Sequence, residues 1–188
     1  MTYSESVASS AEIVAFWFAE AVKPLWFAAT PEFDEALRER FLTTYRAAAT
    51  GQLEDWERTP LGALALVIVL DQFPLNLFRG QPESFATEAT ARAVADRAIA
   101  SGFNQRMSPE QRLFLYLPFM HSEALVDQER SVRLFQQAAG LEESLGFARH
   151  HRDLIRRFSR FPHRNVILGR ESSPEEIAYL ASPEAFLG

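Results

Sequence analysis

Between Arg149 and Arg170 the chain carries seven arginines, at 149, 152, 156, 157, 160, 164 and 170, against a single acid, Asp153. Arginine presents a planar fork that meets carboxylate or phosphate oxygens two at a time. Arg160, Arg164 and Arg170 are therefore candidates for gripping a small anion. The competing expectation is a solvated helix face that complements the helix dipole and whose arginine stems cover apolar surface. Histidines form the second set: His121 in PFMHSE, His150 and His151 beside an apolar stripe, and His163 in RFPHRN. With Glu123 or Asp71 to orient it, His121 or His163 could act as a general acid or base. His151 equally suits a hydrogen-bonded place in the core.

Most of these residues sit on two Phe-Pro knuckles, LDQFPLNLFRG at 70–80 and RFPHRNVILGRE at 160–171. Each follows an apolar, helix-like run, and each is expected to break it at the proline. The first knuckle supplies Asp71, Gln72, Asn76 and Arg79; the second supplies Arg160, His163, Arg164, Asn165, Arg170 and Glu171. Pro118 is expected to bend a helix just before His121 and Glu123. If these three segments meet, they line one polar pocket. The first knuckle reads mainly as a capping network that holds a helix corner, the second as the place for a ligand.

Several chemistries are excluded or unsupported. There is no cysteine, so disulfides, thiolate catalysis and Cys-bound zinc are ruled out, and a cytoplasmic setting is expected. His121, Glu123, His150, His151, Asp153 and His163 are suitable metal-ligand types, but no HExxH spacing occurs, and neither a metal nor a cofactor is expected. No GxSxG elbow accompanies Ser122, and no Walker or dinucleotide glycine pattern is present. A net charge of -6 argues against a nucleic-acid surface. The start MTYSESVASS lacks the features of a signal peptide, and the apolar run LGALALVIVL at 61–70 is too short to span a membrane. Nothing in the sequence signals an oligomeric state.

The elements that must position these groups are helices. Thr30-Pro31, Thr59-Pro60, Ser108-Pro109 and Ser173-Pro174 each place an N-cap before a proline at the first helical position. Gln111 and Glu176 complete capping boxes with Ser108 and Ser173. Gly51, Gly102 and Gly140 answer as stops. Apolar stripes at helical spacing lie between: Phe33, Leu37, Phe41 and Tyr45; Leu113, Leu117 and Met120; Leu125, Val132 and Phe135; Phe147, His151, Leu154, Ile155 and Phe158. No segment alternates long enough to predict a strand. With 47% hydrophobic residues and 16 Phe, the chain can bury a wide core. The expectation is a flexible tail over 1–10 and one all-α domain over 11–188, with about eight or nine helices in antiparallel pairs.

In order along the chain, the segments FWF, FDEALRERF, LALVIVLDQFPLNLFRG, FATEATARAVADRAI, LYLPFMHSE, DQERSVRLF and HRDLIRRFSRFPHRNVILGRESSPEEIAYL resemble bacterial domain-of-unknown-function family 924. The resemblance covers nearly the whole chain. It implies a tetratricopeptide-like fold of packed helix pairs and no particular activity. The family pattern is similar to LDQFPRN and GRFPHRN, where this chain has Leu75 and Ser159. The preferred reading is a helical binding module with an Arg/His/Asn-lined pocket for a small anionic ligand or acidic peptide. The alternatives are a hydrolase-like enzyme using His121 or His163 in the same pocket, and a structural or protein-interaction scaffold.

Overall fold

The computed structural model describes residues 6–187. Among them there are eight helices and no strand. They are α1 (Ser10–Trp17), α2 (Pro31–Ala49), α3 (Pro60–Leu77), α4 (Glu88–Ala100), α5 (Pro109–Met120), α6 (Leu125–Gln137), α7 (Glu142–Phe158) and α8 (Pro174–Leu180). Thr30, Thr59, Ser108 and Ser173 each accept a hydrogen bond from the backbone N–H three residues on, and both expected capping boxes form. Gly51, Gly102 and Gly140 have φ of 79°, 72° and 83°.

A further capping box, between Ser9 and Glu12, starts α1, and the Ala8 N–H donates to Thr44 Oγ1 at 2.9 Å. The expected tail over 1–10 is thus corrected at its inner end: residues 8–10 are held by the cap and by α2. Residues 1–5 lie outside the described residues.

α3 is the central element, packed against α1, α2, α4 and α5. From Ala63 to Leu70 every side chain is buried, as an apolar run without a polar face requires. The first knuckle does not break this helix. Residues 68–72 form one π-helical turn, in which the Phe73 N–H reaches back to the Ile68 carbonyl, and α-helix resumes through Pro74 to Leu77. Pro74 has no N–H for the carbonyl of Leu70; the Thr87 hydroxyl donates to that carbonyl instead, at 2.5 Å. The widened turn and the borrowed donor let the helix pass the proline. α3 therefore reaches 18 residues with a mean hydropathy of 1.6, enough by length and composition to cross a membrane, but 83% of it is buried inside the protein.

The second knuckle does end its helix. α7 stops at Phe158, and Ser159 takes φ 60°, ψ 5°, the one non-glycine with positive φ among the described residues. This is the position where the family resemblance carries Gly, and the left-handed conformation explains why. Ser159→Gly is expected to raise stability by about 1 kcal/mol, read as a higher urea midpoint at unchanged slope.

One core joins α1 to α7, with Phe114 touching Trp17, Phe18, Trp26 and Phe27. A smaller cluster gathers Leu154, Ile155, Phe161 and Tyr179 at the C-terminal end. Two stripe positions are corrected. Phe147 is 63% exposed, because the buried face of α7 there runs through Leu145 and Ala148 and leaves Phe147 outside it, and Leu125, the first residue of α6, is also exposed.

Candidate functional site

The three segments singled out in the sequence do converge, with different partners from those expected. Asp71 projects from the π turn of α3 and is fully buried. Its Oδ1 lies 3.0 Å from His121 Nδ1 at the end of α5, and its Oδ2 accepts from Gln72 Nε2 at 2.6 Å. The His121 side chain keeps 17% of its surface exposed. Among the described residues no hydrogen bond is made by its Nε2. Burial alone would lower the His121 pKa, but the Asp71 charge and hydrogen bond, with Glu88 behind them, outweigh it and raise the pKa above 6.5.

Beside this pair, Arg164 forks onto Glu88 in the first turn of α4, at 2.9 and 3.1 Å. The guanidinium lies between the rings of Phe85 and Phe161, 4.4 and 4.8 Å from their centroids, a stacked place that suits arginine and not lysine. Burial raises the Glu88 pKa, Asp71 adds to the rise, and Arg164 and His121 offset only part of it. A second fork joins Arg170 to Glu123, at 2.7 and 3.0 Å. Glu123 also accepts the Phe161 N–H at 2.8 Å. Burial pushes the Glu123 carboxyl up, but Arg170 and the Phe161 N–H together hold it below the usual range. Asn165, fully buried, completes this layer: its Oδ1 accepts from Arg170 Nε and its Nδ2 donates to Ser172 Oγ, both at 3.0 Å.

Arg160 forks onto Glu176 of α8, at 2.6 and 2.7 Å, and holds that carboxyl down to about 2. The three arginines expected to grip a ligand thus each grip a carboxylate of this chain, and the expectation of open anion-binding forks is corrected. The arginine run balances acids brought in from α4, α8 and the α5–α6 turn, which sequence order hides. Arg156 and Arg157 likewise pair with Glu129 and Glu175.

The remaining candidates divide. His163 is partly buried, its Nδ1 is enclosed without a hydrogen-bond partner, and burial lowers its pKa to about 4. His151 binds the Phe147 carbonyl through Nδ1 at 2.8 Å, and burial lowers it to about 3. Both rings lie against Phe161. Asn76 and Arg79 do not join the cluster. Asn76 donates back to the Gln72 carbonyl at 3.1 Å, and Arg79, 56% exposed, forks onto Asp34 of α2. Glu171 contributes only its backbone carbonyl, to Arg160. Leu75, one helical turn after Asp71, is half-buried.

Sequence reasoning missed Glu88, Glu176, Thr87 and Ser172. The acids look like ordinary first-turn residues complementing a helix dipole, and only the packing reveals their partners. Two surface depressions, of about 470 Å³ near Glu57 and Arg97 and about 330 Å³ between Pro109 and Glu142, contain none of the candidates. Among the described residues no three His, Asp or Glu side chains are grouped as a metal ion needs.

A family model described as bacterial protein of unknown function (DUF924) matches residues 13–184. The chain belongs to this family. The solved structure of a protein of unknown function from Agrobacterium tumefaciens is similar to it, with 44% identity and a TM-score of 0.86 over 92% of this chain and 96% of that one. No curated protein matches. Membership in the DUF924 family thus brings the all-helical fold and leaves the chemistry to the geometry of the site.

Proposed function

We propose that this DUF924 member is a small-ligand binding module whose ligand-facing group is His121, taking a small carboxylate or phosphate anion. One observation carries this. Of the cations that converge, the arginines are each neutralised by a carboxylate of the chain, whereas His121 has one nitrogen held by buried Asp71 and the other free at a partly exposed edge. The raised pKa widens the pH range over which that edge is cationic and donating. The lack of cysteine and the acidic balance support a cytoplasmic setting and a ligand that is neither nucleic acid nor membrane.

The test is an NMR titration of the backbone amide resonances with inorganic phosphate and, separately, acetate. Saturable movement of the amide signals around position 121 is expected, lost in His121→Gln and retained in Arg160→Gln. No movement in the wild type, or movement that survives His121→Gln, would remove the basis for the reading.

The same pair favours a second reading. A histidine oriented by a buried carboxylate is the arrangement used for general acid–base catalysis. Hydrolysis of para-nitrophenyl acetate or phosphate that vanishes in His121→Gln, with a pH profile set by His121, would favour the enzyme over the binding module.

A further inference from the structure

Beyond α8 the chain turns back, and Phe186 is set among three imidazoles. Its ring centroid lies 4.6 Å from His151, 5.1 Å from His163 and 6.0 Å from His150, each edge-to-face, at 64°, 84° and 73°. Phe161 backs the group, 5.5 Å from His151 and 5.7 Å from His163. These separations and tilts are the ones aromatic rings prefer. Together they form a cage shaped for a single ring.

The occupant is lightly held. Tyr179 Oη accepts the Phe186 N–H at 2.8 Å and donates to the Glu184 carbonyl at 3.4 Å, and the Ala185 N–H bonds the Ser182 carbonyl at 3.2 Å. Among the described residues no ion pair fastens this strap, and Phe186 is only half-buried. In the same region His163 Nδ1 is buried without a partner, a cost that folded chains rarely leave standing. His151 and His163 are uncharged near neutral pH, because burial lowers both. Arg164, Arg170, Glu123 and His121 act on His163, and His121 and His150 on His151, with the Arg164 and His121 charges adding to the lowering.

The geometry points to a binding site for the aromatic side chain of a peptide, built from His150, His151, Phe161 and His163, which the chain's own Phe186 fills in cis as a displaceable plug. A peptide that presents such a side chain competes with the strap for the cage. The site stands apart from the anion reading, since neither its ring nor its walls include His121.

The test uses full-length Phe186→Ala, with a chain ending at Glu184 as a second variant, and the acetylated peptide SPEAFLG as probe. In both variants the His163 and His151 ring protons are expected to titrate about one unit higher than in the wild type, as the cage opens to water. Added peptide should return them to their wild-type positions, and the same peptide with Ala for Phe should not. Unchanged titrations in Phe186→Ala, or equal action of the two peptides, would overturn the assignment. If the shortened chain does not fold, the full-length variant decides alone.

Discussion

Replacing Arg164 with Ala is expected to destabilise the protein by about 3–5 kcal/mol, the usual cost of leaving one partner of a buried ion pair uncompensated. Arg164 keeps 8% of its side-chain surface and Glu88 13%, so solvent screens neither. The substitution removes both hydrogen bonds to Glu88 and the stacking between Phe85 and Phe161. It also leaves the Glu88 carboxylate near Asp71 with only His121 to offset it. For a chain of this size the loss corresponds to a fall in Tm of roughly 10 °C. Arg164→Lys should rescue little, since an ammonium neither forks nor stacks. The double variant Arg164→Met with Glu88→Gln should recover much of the loss, because it removes the stranded charge along with its partner. If Arg164→Ala melts close to the wild type, the segment at 161–171 is not energetically tied to α4.

Replacing Asp71 with Asn should reverse the direction in which His121 is shifted. In the wild type the folded-state pKa lies above 6.5, so the favourable contribution of His121 is complete below the unfolded value and fades as pH rises through the folded one. Without the Asp71 charge, burial dominates and the His121 pKa drops below 6.5. The variant then carries a penalty that grows as the solution is acidified below 6.5, because the unfolded chain binds the proton more readily. The stability gap between the two proteins should therefore be widest on the acid side, about 3 kcal/mol near pH 6, and narrow toward alkaline pH. Imidazole titration by NMR and urea unfolding at two pH values measure both quantities. A His121 that titrates identically in the two proteins would show that Asp71 does not hold its proton. Any response of His121 to phosphate should weaken in the same variant at neutral pH, since the imidazole is then uncharged.

Much of the helical frame was legible because its signals are local. A Ser or Thr before Pro satisfies backbone donors within one turn, and a stripe such as Phe33, Leu37, Phe41 and Tyr45 faces one way whatever it packs on. Pro74 shows the limit of local rules. In isolation it marks a helix end, yet the Thr87 hydroxyl serves the carbonyl it orphans, that of Leu70, 17 residues earlier in sequence, and the helix continues. Phe147 shows another: the right spacing puts it on the apolar stripe, but the core is met by the neighbouring face that carries Leu145 and Ala148.

For the candidate site, residue type and approximate neighbourhood were readable, and partners were not. Seven arginines in 22 residues look like a surface waiting for an anion until Glu88, Glu123 and Glu176 are folded against them. Charge pairing across 47 or 76 residues of chain leaves no periodic trace. The same holds for Phe186, whose sequence context gives no hint that three histidines enclose it.

By itself the sequence determined the all-helical class, the capped starts and glycine stops of its helices, the absence of thiol chemistry and the DUF924 resemblance, since each rests on residue type or on contacts within a turn or two. Only the tertiary structure decided which cations are free. Neutralisation depends on distance in space and on the low polarity of the surroundings, and those exist only once α3, α4, α5 and the segment after α7 have packed together.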